Sequence, residues 1–220
     1  MKPVVIFGLG DLARMARVYL TKDSPYDVAA FTANEEYITE PDLLGKPVVP
    51  FENLLQSHPP DQYKMLVAVG YSRVNKARAA VYEQCKGLGY ELISYINSRA
   101  TDWGEIEVGD NTFIFEENVI QPFVRIGSNT VLWSGNHIGH DSSIGDHVFI
   151  ASHVVISGNC TIGDYCFMGV NATVADGVTI APHCVIGAGA LITRDTEPEG
   201  VYKGVKAEMA GFKSSEMRGF

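Results

Sequence analysis

An α/β domain followed by a β-helix is the architecture this 220-residue chain predicts. Three observations predict it. Strand-like and helix-like segments alternate up to about residue 96, the pattern of a parallel sheet covered by helices. From Val108 onward an aliphatic residue or Met recurs at every sixth position. Glycine is in excess, with 22 in the chain against an ordinary share of roughly 7%, and many glycines directly follow those recurring positions. Hydrophobic residues at 46% and charged residues at 20% fit a packed chain rather than a disordered one. No apolar run approaches the roughly 18–20 residues that span a bilayer, and no secretory signal precedes the first strand. Net charge is −9 with no basic cluster, which argues against nucleic acid or an anionic membrane as partner.

The elements of the first domain follow in order. Residues 3–7 are β-branched and apolar, and Gly8-Leu9-Gly10 breaks that strand. Leu12, Ala13, Ala16 and Leu20 then fall at helical spacing. Strands are expected over 27–32, 47–50, 65–69 and 91–96, and a helix over roughly 73–87. The first strand-turn-helix gives a Rossmann-like reading, because glycines let backbone amides approach a phosphate at a helix N-terminus. Only Gly8 and Gly10 of the fingerprint are present, with Ala13 in the third place. Thr32-Ala33-Asn34 supplies no acid after the second strand to grip a ribose. Nucleotide binding and a purely structural turn both remain open at this point.

The second half is a six-residue repeat. Val108, Ile114, Ile120, Ile126, Leu132, Ile138, Ile144 and Ile150 lead it, and Ile156, Ile162, Met168, Val174, Ile180, Ile186 and Ile192 complete it. With roughly half of residues apolar, fifteen such positions in succession would arise by chance about once in 30,000. Four places after each anchor stands a small or modest residue such as Thr112, Thr130, Ser142, Cys160, Cys166 or Cys184. Gly109, Gly127, Gly139, Gly145, Gly163, Gly169 and Gly187 follow anchors directly, where unusual backbone angles are expected. A period of six fits a short strand and a tight corner, repeated three times per coil of a triangular solenoid. Fifteen hexads make five coils, stacked at about 4.8 Å. The predicted division is 1–99, 100–195 and a tail over 196–220.

These hexads, with an α/β domain before them, resemble the hexapeptide-repeat acyltransferases and in particular the NeuD/PglD-like sugar O-/N-acetyltransferases. The resemblance runs from Pro3 to about Ala207 and implies a left-handed parallel β-helix assembled as a homotrimer. It further implies acetyl-CoA bound between neighbouring β-helices as co-substrate, and a sugar or nucleotide-sugar acceptor on the N-terminal domain. The family's His-(Glu/Asp)-x-x-Ile-Gly motif is matched by His140-Asp141-Ser142-Ser143-Ile144-Gly145. His140 would then be the general base and Asp141 would orient it, roles that suit an imidazole and a carboxylate. Gly158 matches the glycine whose amide faces the thioester oxygen. Phe149, Val170 and Ala188 match positions lining the CoA arm. Gly8, Gly10, Asp11, Gly70 and Trp133 are the candidates for the acceptor site.

The chain departs from the family at several of these places. Trp133 stands where bacillosamine-type enzymes carry an asparagine, and the C-terminal Gly-x-Pro-Ala-Lys signature becomes Gly204-Val205-Lys206-Ala207-Glu208. Gly70, Asn75 and Arg78 keep a familiar pattern. The expected reaction is acetyl transfer to an amino group of a nucleotide-linked sugar. Transfer to a sugar hydroxyl and a non-catalytic nucleotide-binding scaffold are the alternatives.

His137, His140, His147 and His153 crowd 17 residues. Their gaps do not match the histidine spacing of β-helix carbonic anhydrases, so no metal is expected. His137 and His153 suit either interface hydrogen bonding or acceptor contact. Trp133 should point outward, to a trimer interface or to an acceptor platform. The four cysteines lack paired spacing and are expected as buried free thiols in a reducing cytoplasm.

Overall fold

The computed structural model describes residues 2–217. Its N-terminal sheet contains β1 (Val4–Phe7), β2 (Val28–Ala33), β3 (Asp42–Leu43), β4 (Lys46–Pro50) and β5 (Lys64–Val67), in spatial order β3-β4-β2-β1-β5. All pairings are parallel except the edge pair of β3 with β4, which is a short antiparallel return. Helix α1 (Asp11–Asp23) lies on one side, and α2 (Leu54–Ser57) with α3 (Lys76–Gly87) on the other. Alternation along β1 fills both sides. Val4 and Ile6 pack with Leu12, Ala16 and Leu20 of α1, while Val5 and Phe7 pack with Leu54, Tyr82 and Cys85.

Two boundaries differ from expectation for local reasons. Helix α3 begins at Lys76, not near 73, because Arg73, Val74 and Asn75 all take left-handed angles, φ 55°, 51° and 63°. The segment 91–96 is not one strand. Leu92 makes a single bridge to Met65, and β6 (Tyr95–Ile96) already pairs with Phe113–Ile114 of the solenoid.

Beyond β6 the chain coils. Strands of two residues pair in parallel with those 18 positions away, as Val131↔Phe149 and Ile138↔Ile156 do. Three sheets result. The first face includes Phe113–Ile114, Val131–Leu132, Phe149–Ile150 and Phe167–Met168; the second, Val119–Ile120, His137–Ile138 and Val155–Ile156; the third, Arg125–Ile126, Ser143–Ile144 and Thr161–Ile162. Anchors from Ile114 through Ile192 form one buried core, each worth about 1.5–3 kcal/mol of burial.

Corner chemistry differs from the expectation in one respect. The left-handed residue is the third after each anchor, not the glycine directly behind it. Fourteen successive corners, from Asn111 through Asp141, His147 and His153 to Gly189, have φ between 52° and 78°. Asn, Asp and His tolerate that region better than most residues, which accounts for His147, His153 and His183 as corner residues. Glycines behind anchors instead permit close coil-to-coil approach. A Cβ at Gly109, Gly163 or Gly169 would lie 2.5–2.6 Å from main-chain atoms of the next coil.

The small residues of the next position turn inward and bond across coils. Thr112 Oγ1 donates to the Gly127 carbonyl (2.7 Å) and Ser142 Oγ to that of Ser157 (3.1 Å). Cys160, Cys166 and Cys184 make the same bond with S–H, to Ala175, Ala181 and Glu197. All four cysteines are free and buried.

Candidate functional site

A cleft lies at the C-terminal ends of β1 and β5, where the strand order reverses on either side of β1. Such a switch point is where open α/β sheets bind ligands. Gly8 has φ 129°, and a Cβ there would stand 2.6 Å from the Ala68 carbonyl oxygen. That brings β1 and β5 together at the cleft floor. Gly10 precedes α1 without a side-chain cap, leaving the first-turn amides of α1 open to a ligand. The cleft holds about 540 Å³ and is lined by Gly8, Gly10, Asp11, Gly70, Tyr71 and Trp133, with Phe149 beneath. All five residues predicted for the acceptor therefore meet in one place. Tyr71 was missed, since nothing in its sequence context marks it.

Trp133 points away from the solenoid core and is half-buried. Its ring stacks on Phe115 at 4.6 Å and 3° and faces the N-terminal domain across the cleft. The outward side of the first solenoid face carries Phe113, Phe149 and Phe167, which α1 and β5 cover. Tyr71 packs on Phe149 and Phe167 at 4.8 and 4.9 Å. A second groove, about 410 Å³, continues from that aromatic sill and reaches Val170 and Ala188. Phe149, Val170 and Ala188 thus share one groove adjoining the cleft.

Asn75 and Arg78 fasten this arrangement. Asn75 Nδ2 donates to the Tyr165 and Cys166 carbonyls at 3.2 and 3.0 Å. Arg78 is fully buried. It donates to the carbonyls of Gly70, Asn129, His147 and Val148 and to Asn75 Oδ1, at 3.0–3.4 Å. Burial draws its guanidinium down to about 9, still protonated at neutral pH. His147 Nδ1, at the same corner, accepts a hydrogen bond from Asn129 Nδ2 at 2.8 Å, and burial lowers the His147 pKa.

His140 and Asp141 occupy a different corner, between the second and third faces. His140 Nδ1 lies 2.8 Å from Asp141 Oδ2, and both side chains are about half exposed. Gln121 Oε1, one coil away, accepts the His140 main-chain N–H at 2.9 Å. The imidazole rests on Gly158, where a Cβ would fall 2.7 Å from Nε2. Asn159 donates its N–H to the His140 carbonyl, whereas the Gly158 N–H has no partner among the described residues. The three predicted chemical residues thus form one cluster. It is separate from the cleft and from the Val170 groove, about one prism face away, at most ~20 Å for six residues at 3.3 Å each.

His137 lies on the second face between Val119 and Val155, and the His153 ring covers Gly135. Among the described residues no three His, Cys, Asp or Glu side chains group to hold a metal ion, and no helix is long and apolar enough to cross a membrane.

Comparison with known proteins supplies the decisive observation. Residues 123–158, 141–175 and 159–194 match the bacterial transferase hexapeptide (six repeats). A variant of perosamine N-acetyltransferase from Caulobacter crescentus, in complex with CoA and GDP-perosamine, superposes with TM-score 0.84 at 25% identity. The match covers 96% of this chain and 98% of that one. PerB from the same organism, also with CoA and GDP-perosamine, gives 0.83 at 26% over the same shares. Along nearly its whole length the chain is similar to these sugar acetyltransferases, and residues 123–194 carry the hexapeptide repeat. The acetyltransferase domain of PglB from Neisseria gonorrhoeae FA1090 shares the fold, with TM-score 0.80 at 22% identity over 93% of this chain and 97% of that one. Among curated proteins none matches by sequence. The three parallel faces and the hexads fit a left-handed β-helix, and the protein is an acyltransferase rather than an inert scaffold.

Proposed function

We propose that this acetyltransferase moves the acetyl group of acetyl-CoA to an amino group on a nucleotide-linked sugar, with His140 as general base. The observation that carries the chemistry is the His140 ring, hydrogen-bonded to Asp141 through Nδ1 and seated on a glycine with an unpaired amide. With the Nδ1 proton donated to Asp141, Nε2 is left with its lone pair. Nε2 takes a proton from the amine as nitrogen attacks the thioester carbonyl. The carbonyl oxygen gains negative charge, and the Gly158 N–H is the donor for it. Collapse expels the CoA thiolate, which the imidazolium protonates, leaving amide, CoA thiol and the neutral histidine.

Binding divides between the parts of the chain. Residues 1–99 hold the acceptor, with its diphosphate at Gly8, Gly10 and the α1 amides, beside Asp11, Gly70 and Trp133. Residues 100–195 carry catalysis, and Phe149, Val170 and Ala188 line the pantetheine arm. In a single chain the CoA groove and His140 sit at different corners, so a neighbouring copy brings the second to the first. Val119, Val155 and Leu191, exposed at 40%, 39% and 66% on the second face, are the apolar residues a homotrimer covers. Perosamine N-acetyltransferase, whose complex holds CoA and GDP-perosamine, supports both ligand classes. Four unpaired buried thiols suit a reducing cytoplasm.

The test is product chemistry. Nucleotide-linked amino sugars and their hydroxyl counterparts are offered with acetyl-CoA, and CoA thiol release is followed. An acetyl product resistant to hydroxylamine is the amide expected. A labile ester would move the reaction to a hydroxyl.

A further inference from the structure

Strand β2 ends in Thr32-Ala33-Asn34 with no acid of its own. A carboxylate is nonetheless held there. Glu52, in the turn after β4, places Oε1 3.0 Å from Asn34 Nδ2 and Oε2 3.1 Å from the Glu35 N–H. Phe51 beside it packs edge-on against Phe7 of β1 at 5.0 Å, which fixes the turn to the sheet. One inner donor on each oxygen orients the carboxylate and leaves the outer lone pairs for a ligand. Glu52 is exposed, and its hydrogen bonds hold its pKa below the ordinary carboxylate range, so it is ionised. The Gly8 N–H donates to the Thr32 carbonyl at 2.9 Å. The end of β2 is therefore one strand spacing, about 4.8 Å, from the glycine turn.

We propose that Glu52 binds the ribose 2′,3′-diol of the nucleotide carried by the acceptor, supplying from β4 the carboxylate that β2 lacks. This rests on the reading of the glycine cleft as a nucleotide-sugar site. A vicinal diol offers two O–H donors to the two outer lone pairs, and a carboxylate accepting from hydroxyls makes charge-assisted bonds.

Calorimetric titration of the full-length protein with UDP, GDP and the 2′-deoxy form of each tests this, on wild type and Glu52→Gln. Wild type should bind its preferred ribonucleotide about tenfold tighter than the 2′-deoxy form. Glu52→Gln should lose about tenfold for the ribonucleotide and no longer distinguish the two, with CoA affinity unchanged as evidence of an intact fold. A variant that keeps wild-type affinity and discrimination overturns the role of Glu52 while leaving the nucleotide site standing. No binding of any nucleoside diphosphate to wild type, alongside acetylation of a free amino sugar, overturns the nucleotide reading and this inference with it.

Discussion

Arg78→Met should loosen the N-terminal domain from the β-helix. The fully buried guanidinium serves four main-chain carbonyls and Asn75 Oδ1. Val148 O also accepts the Val131 N–H, but the carbonyls of Gly70, Asn129 and His147 have Arg78 as their sole hydrogen-bond partner among the described residues. Methionine fills the space and orphans all three. At about 1 kcal/mol or more for each buried acceptor left unpaired, the loss is about 3–5 kcal/mol. Arg78→Lys keeps the charge but not the planar fork, and should lose about 2 kcal/mol. Urea unfolding followed by tryptophan fluorescence measures it, since Trp133 sits in the cleft between the two halves while Trp103 is exposed. A Trp103→Phe background isolates the signal. A loss below about 1 kcal/mol for Arg78→Met would refute the latch.

Other substitutions probe the chemistry and the pH response. Gly158→Ala puts a methyl 2.7 Å from His140 Nε2, and kcat should fall about 100-fold with unfolding stability nearly unchanged; steady-state thiol release against a urea titration separates the two. Asp141→Asn keeps a residue suited to φ 57° and removes only the charge behind the imidazole, so kcat should drop about 10- to 100-fold while acetyl-CoA affinity holds. Because burial lowers the His147 pKa, its neutral form is favoured in the fold. Its contribution is fully present above the unfolded value near 6.5 and is lost as pH falls through the lower folded value. Denaturation midpoints should therefore fall below pH 6.5, and His147→Asn, matching Asn129 one coil away, should flatten that slope. An unchanged slope in this variant would assign it to another group.

Much of the solenoid is legible because its physics is periodic. Each hexad anchor points inward, so fifteen aliphatic positions report a core directly. The left-handed corner was less visible because Asn, Glu, Phe, Asp, His and Tyr all occupy it, and no single residue type marks it. His147 and His153 are corner residues of this kind, with φ 61° and 59°. Segment 91–96 reads as one apolar strand, yet Leu92 and Tyr95 pair with different sheets; pattern alone cannot say where a strand finds its partner. Gly8 and Gly10 were readable from local turn chemistry as the break between β1 and α1. Tyr71, Gln121 and Glu52 were not, because each acquires its place through contacts with a distant segment. The outward Phe113, Phe149 and Phe167, at multiples of 18 on one face, were the one available signal that this face is covered.

The most direct test of the account is acetyl transfer by His140→Ala, measured as CoA release with the best nucleotide-linked amino sugar. The account predicts a loss of about 1,000-fold or more in kcat, with CoA affinity and oligomeric mass as in wild type. Turnover within a few-fold of wild type, in a variant that still binds CoA, would contradict the assignment of His140 as the base.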